Sequence, residues 1–86
     1  MVGRRRSRLK VAADILAEAL NGANKTRIMY RANLNFLRFD RYFSELMDKG
    51  LIVEENTSDG RATYRTTDKG KRFLKIISDA EEIISS

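Results

Sequence analysis

Eighty-six residues suffice for one domain, and a domain this small buries only about 60% of its unfolded surface, so its core is marginal and usually needs reinforcement. Cysteine and histidine are both absent, which excludes disulfides, thiolate metal sites and imidazole chemistry and leaves self-association as the available reinforcement. Seventeen Lys and Arg against twelve Asp and Glu give a net charge of +5, which favours an anionic partner through counterion release, nucleic acid first and anionic membrane second.

The chain opens on Met1-Val2-Gly3 and three arginines, Arg4, Arg5 and Arg6, with no apolar run of signal-peptide type behind them. No stretch approaches the roughly 18 apolar residues that cross a bilayer, so the expectation is a soluble, cytoplasmic protein. Residues 1–7 read as a basic arm, suited to lying along phosphates or in a minor groove, or else serving only as a solubilising tail. From Arg8 to Leu20, Leu9, Ala12, Leu16 and Leu20, with Ile15 and Ala19, recur at steps of three and four, predicting a helix capped by Ser7 and stopped by Asn21-Gly22.

Asn24 precedes a short second helix over Lys25–Ala32, with Ile28, Met29 and Ala32 available to the core. Asn33-Leu34-Asn35 interrupts it, and Asn35 can cap a third helix over 36–49 whose apolar side is Phe36, Phe39, Phe43, Leu46 and Met47. Two helices about three residues apart, the second longer, form the helix-turn-helix pattern. Leu51–Glu55 and Ala62–Thr66 flank a polar loop containing Asp59-Gly60 and read as a β-hairpin. A last helix from Asp68 to Ser85 carries an apolar seam of Phe73, Ile76, Ile77, Ala80, Ile83 and Ile84. Three helices, a hairpin and a helix give a mainly α fold with a β-hairpin (α+β). In outline this is a winged helix-turn-helix over 8–67 and an added C-terminal helix over 68–86.

The third helix leaves Asn35, Arg38 and Arg41 on its exposed side, flanked by Leu37 and Tyr42. Arginine pairs bidentately with guanine and asparagine with adenine, so these three are the candidates for reading bases in the major groove. The alternative is a solvated face on which both arginines pair with Asp40, Glu45 or Asp48. Lys25, Thr26, Arg27 and Arg31 of the second helix, with Arg61 at the hairpin loop and Arg4, Arg5 and Arg6 of the arm, suit phosphate contact. Arg65 is a weaker wing candidate. A domain this size covers only the first turns of the last helix, so the isoleucine seam is a candidate homodimer interface. Otherwise it folds back on the first helix as ordinary core.

Several blocks match a known pattern in order: Lys25-Thr26-Arg27-Ile28-Met29-Tyr30, Ala32-Asn33-Leu34-Asn35, Tyr42-Phe43 through Leu46 to Lys49-Gly50-Leu51-Ile52, and Tyr64 with Thr67-Asp68-Lys69-Gly70. Over roughly Leu9 to Leu74 the chain resembles the archaeal ten-kilodalton winged-helix DNA-binding proteins and the related archaeal winged-helix transcriptional regulators. The resemblance implies an archaeal source, DNA binding, and a homodimer formed by antiparallel pairing of C-terminal helices in a coiled coil. Members of that family often have a longer last helix, so their half-site spacing does not transfer to this chain.

The expected function is therefore double-stranded DNA binding by a dimeric, nucleoid-associated transcriptional regulator, with no metal or other cofactor and no membrane partner. A protein–protein docking module and a non-specific chromatin-type coating protein are the rival readings. No enzyme is expected, since no nucleophile with an activating partner and no glycine-rich phosphate loop stands out.

Overall fold

The computed structural model of the protein describes residues 6–85. Along them run α1 (Arg8–Glu18), α2 (Lys25–Arg31), α3 (Phe36–Asp48), β1 (Ile52–Asn56), β2 (Ala62–Thr66) and α4 (Asp68–Ser85). The order and types are those read from the sequence, a winged helix with an added C-terminal helix.

Every helix starts on a side chain that takes an otherwise orphaned backbone N–H. Ser7 accepts from Lys10 at 3.1 Å, Asn24 from Arg27 at 2.8 Å and Asn35 from Arg38 at 2.9 Å. The Thr67 hydroxyl accepts from the Gly70 N–H at 3.1 Å while donating to the Gly50 carbonyl at 2.7 Å. Such caps contribute on the order of 1 kcal/mol each. Between α2 and α3 the backbone turns at Asn33 in the left-handed region, φ 59°, which asparagine tolerates better than most residues.

α1 ends at Glu18 rather than Leu20, because the following chain is drawn toward the hairpin. Ala23 donates to the Tyr64 carbonyl at 3.1 Å and accepts from the Tyr64 N–H at 2.8 Å. A single bridge thus adds the segment before α2 to the antiparallel pair β1–β2, whose register runs from Ile52↔Thr66 to Asn56↔Ala62. Nothing in the periodicity of residues 20–24 points to this bridge.

The core is built from Val11, Ile15 and Leu16 of α1, Ile28 of α2, Phe39 and Phe43 of α3, and Ile52 of β1, all 2% exposed or less. Phe43 stacks on Phe39 and meets the Tyr64 ring edge-on, each at 5.0 Å between centroids, so the two aromatic contacts tie α3 to the hairpin. Two residues expected in the core are not there: Leu9 is 57% exposed and Phe36 is 65% exposed. Each shares its helix face with a buried residue seven positions on, Leu16 and Phe43. Seven residues are also about 10.5 Å of helix, enough to carry both beyond the edge of so small a core.

The sheet end of the body is fastened to the helices through Thr66, the one buried polar residue among those described. Its hydroxyl donates to the Leu16 carbonyl at 2.6 Å and its N–H to the Ala19 carbonyl at 3.0 Å. α4 crosses next to it at Gly70, where a Cβ would come within 2.5 Å of both the Leu51 carbonyl and the Thr66 methyl. Beyond this close approach Phe73, Leu74 and Ile77 are half-buried, and every residue from 78 to 85 is exposed.

Candidate nucleic-acid interface

The helix-turn-helix presents a solvent face of unusual composition. Lys25, Thr26, Arg27, Tyr30 and Arg31 of α2, and Phe36, Leu37, Arg38, Asp40, Arg41 and Ser44 of α3, are all exposed. Five cations stand there against one carboxylate.

Arg38 and Arg41 lie one helical turn apart on α3, and neither side chain takes part in an ion pair or hydrogen bond among the described residues. The acids that could have neutralised them are not engaged with them. Glu45 binds Arg8 and Lys49 at 3.3 Å each, and Asp40 and Asp48 pair with no arginine of this helix. The two guanidiniums instead line a polar cleft of about 440 Å³ together with Arg8, Tyr42 and Glu45. A planar, always-charged group without a protein partner is available for bidentate bonding to a guanine edge or a phosphate.

Asn35 is differently placed. Its side-chain oxygen already caps α3 through the Arg38 N–H, and reading adenine bidentately would call on that same oxygen. Its oxygen thus serves as the cap of α3 in this structure, and its amide nitrogen makes no hydrogen bond among the described residues.

On α2, Arg27 and Arg31 have no side-chain partners among the described residues, and Thr26 is exposed in the first turn. Lys25 sits with its ammonium 5.3 Å from the centre of the Phe43 ring. That cation–π contact holds the charge over the joint between α2 and α3.

The wing offers one exposed, loosely paired cation and one braced by several contacts. Arg61 is 85% exposed and reaches Asp59 at 3.6 Å, a loose surface pair of small energetic weight. Asp59 accepts from the Thr57 hydroxyl and from the Arg61 N–H, and these bonds hold its carboxyl below the ordinary carboxylate value. Arg65, by contrast, binds Glu55 at 3.0 Å and reaches the Leu20 carbonyl at 3.4 Å, bracing the base of the hairpin rather than its tip.

Arg6 is a comparable case in the basic arm. Its guanidinium donates to Asp14 at 2.9 Å, to the Ala32 carbonyl at 2.8 Å and to the Asn33 carbonyl at 3.0 Å. Expected to grip phosphate, it instead pins the start of α1 to the turn between α2 and α3. Arg4 and Arg5 lie outside the described residues.

Two large apolar side chains escaped the sequence reading as surface features, Tyr30 at 82% and Phe36 at 65% exposed, and they join Leu37, read as exposed and 78% so. They bracket the turn between α2 and α3, amid the arginines. The informative signal was position, since all three sit at helix ends that face away from the core.

On α4 the seam divides. Phe73 and Ile77 are half-buried, Phe73 packing on the core of its own chain, whereas Ile76 is 65%, Ile83 76% and Ile84 83% exposed and Ala80 is exposed too. Among the described residues no cluster of acidic side chains is arranged to hold a metal ion, and no helix is long and apolar enough to cross a membrane.

The winged helix-turn-helix family model matches residues 5–85. The uncharacterized protein MJ0287 of Methanocaldococcus jannaschii is 31% identical over 83 residues, covering 95% of this chain and 80% of that protein. Among solved structures, Sso10a-2, a DNA-binding protein from Sulfolobus solfataricus, superposes with a TM-score of 0.79 at 26% identity over 93% of this chain and 83% of its own. A MarR family transcriptional regulator from Silicibacter pomeroyi shares the fold with a TM-score of 0.69 at 21% identity, this chain covering 52% of its length.

Proposed function

Since the chain belongs to the winged helix-turn-helix family, we propose that it binds double-stranded DNA as a dimeric transcriptional regulator, with α3 in the major groove. The observation that carries this reading is the pair Arg38 and Arg41, two unpartnered guanidiniums on the exposed side of α3 while the nearby Glu45 is held by Arg8 and Lys49. Arg38 and Arg41 read guanines. Leu37, which gains nothing from water, meets thymine methyl groups beside them. Arg27, Arg31 and Lys25, with the exposed N-terminal turn of α2, lie along phosphates, and Arg61 touches the flanking backbone or minor groove. The similarity to Sso10a-2 supports DNA as the partner.

Two chains join through α4. Fully burying one isoleucine is worth roughly 1.5–3 kcal/mol, and Ile76 and Ile84 gain most of that only when another surface covers them. Regulation and general coating differ in discrimination alone, because both use the same basic face. The role is one of binding, on nucleoid DNA, rather than catalysis.

Fluorescence anisotropy with mixed-sequence duplexes at low salt tests the DNA reading directly, and no binding there refutes it. Selection of duplexes followed by footprinting then separates a regulator from a coating protein. A regulator prefers its selected site strongly over random DNA, whereas a coating protein shows a ratio near one.

A further inference from the structure

The polar cleft beside Arg38 and Arg41 adjoins a second hollow. An apolar groove of about 460 Å³ lies between α1, α3 and the start of α4, walled by Leu9, Ala12, Leu46, Leu51 and Phe73. Arg8, Tyr42 and Glu45 line both groove and cleft, so the two form one trough. We propose that this trough binds a single-chain amphiphile with an anionic head, the chain lying in the groove and the head among Arg8, Arg38 and Arg41. A bound head occupies the two guanidiniums that the DNA reading above assigns to bases, so the ligand displaces DNA by direct competition. That consequence rests on the DNA reading, and the binding site does not.

Shape is the first argument. Arg38, Arg41, Tyr42, Glu45, Leu46 and Lys49 recur at helical spacing and fall on one face of α3 and its C-cap. From Arg38 to Lys49 that face measures about 16.5 Å at 1.5 Å per residue. The trough along it is polar at one end and apolar at the other, the form of an extended chain with a head. Its apolar part alone has the volume of a small-molecule site. Leu9, 57% exposed, is the open wall and gains burial when a chain lies against it.

Charge is the second argument. Four cations line the trough, Arg8, Arg38, Arg41 and Lys49, against the single carboxylate of Glu45. Glu45 is already held by Arg8 and Lys49 at 3.3 Å each, which leaves Arg38 and Arg41 unneutralised. Guanidiniums bond carboxylate and phosphate oxygens in pairs, and both heads share that chemistry. At the open cleft the head stays in water while the chain is covered, so no charge is buried. Tyr42, half-buried where groove and cleft meet, supplies a ring to the chain and a hydroxyl to the head.

The test titrates the isotope-labelled wild-type chain with decanoate, below its micelle concentration, in two-dimensional nuclear magnetic resonance. The expected result is saturable shifts of the Leu9, Ala12, Leu46 and Leu51 amides together with the side-chain Nε–H signals of Arg38 and Arg41. Butyrate has the head without the chain, and decyltrimethylammonium has the chain with the opposite charge. Each should bind at least tenfold more weakly than decanoate. Decyl phosphate at the same residues assigns the head, tighter binding than decanoate marking a phosphate amphiphile and weaker binding a carboxylate. Leu9→Asp charges the open wall and Arg8→Gln removes a cation from the head. Both positions are exposed, so the circular dichroism spectrum should be unchanged while decanoate affinity falls, at least tenfold for Leu9→Asp.

No localised shifts, equal affinity for decyltrimethylammonium, or full affinity in Leu9→Asp overturns the site. Shifts of the groove amides on concentrating the chain, without response to decanoate, show a second copy in the groove and overturn the site as well. In anisotropy titrations, saturating decanoate should weaken duplex binding at least tenfold for the wild type and not for Leu9→Asp. Localised decanoate binding that leaves duplex affinity unchanged overturns the competition. A chain that binds decanoate and no duplex overturns the DNA reading and leaves the site standing.

Discussion

Replacing Gly70 by alanine should destabilise the protein, although helix propensity alone argues the opposite. In an exposed helix interior the exchange gains up to about 1 kcal/mol. Here the added carbon meets the Leu51 carbonyl oxygen and the Thr66 methyl at 2.5 Å, about 0.9 Å inside the 3.4 Å at which ordinary contact begins. Neither neighbour yields easily. The Leu51 carbonyl accepts from the Thr67 N–H at 3.0 Å, and Thr66 is anchored to the Leu16 carbonyl at 2.6 Å. Overpacking against such fixed atoms costs about 1–3 kcal/mol, and prising α4 away also weakens the Thr67–Leu51 bond, worth roughly 1 kcal/mol. After the propensity gain is subtracted, a net loss of about 1–3 kcal/mol remains, which lowers the melting temperature of a domain this size by roughly 4–24 °C. Thermal unfolding followed by circular dichroism measures it, at one fixed protein concentration because self-association, as proposed above, would also move the midpoint. A melting temperature equal to or above that of the wild type would refute the close-approach argument.

Three further outcomes are expected. Arg38→Ala should weaken binding to a selected duplex by about 1–3 kcal/mol and relax preference at one position, whereas Arg31→Ala should weaken all sequences alike and flatten the salt slope by about one, both read by anisotropy titrations. Arg6→Ala removes three hydrogen bonds between the start of α1 and the turn after α2, and should lower stability by roughly 1–2 kcal/mol in urea unfolding with little change in the salt slope of DNA binding. Asp59 has a lowered pKa in the folded wing, so its contribution is fully present above the ordinary carboxylate range and fades only as the pH falls through the lowered value. Nuclear magnetic resonance shifts of Thr57 and Arg61 should therefore stay constant down through that range and move below it.

Much of the architecture was legible because it is locally encoded. Ser7, Asn24 and Asn35 announce helix starts, and Gly50 and the Asp59-Gly60 loop mark a stop and a turn. Periodicity was less complete, since it gives the angle of a residue around its helix and not its distance along it. Leu9 shares an angle with Leu16, and Phe36 with Phe43, yet each lies two turns outside the core that buries its counterpart. The same blindness hid Tyr30 and Phe36 as surface features. Long-range commitments were illegible for a different reason. The Arg6 guanidinium meets the Ala32 carbonyl across 26 residues, and the Ala23–Tyr64 bridge spans 41, with no local pattern to betray either. Asn35 was read as both cap and candidate base reader, and the hydrogen bond to Arg38 bears out the cap.

The contacts around Phe43 bear on how a duplex is recognised at places the protein never touches. Lys25 of α2, Phe39 within α3 and Tyr64 of the hairpin all meet that one ring. The reading helix and the wing are thereby locked into one stiff caliper with a set opening. DNA held by such a caliper has to bring its major groove and flanking backbone to that spacing, and stiff and pliable sequences differ in what the adjustment costs. On the DNA-binding reading proposed above, part of any preference for a site would then be written in the bendability of base pairs under the wing.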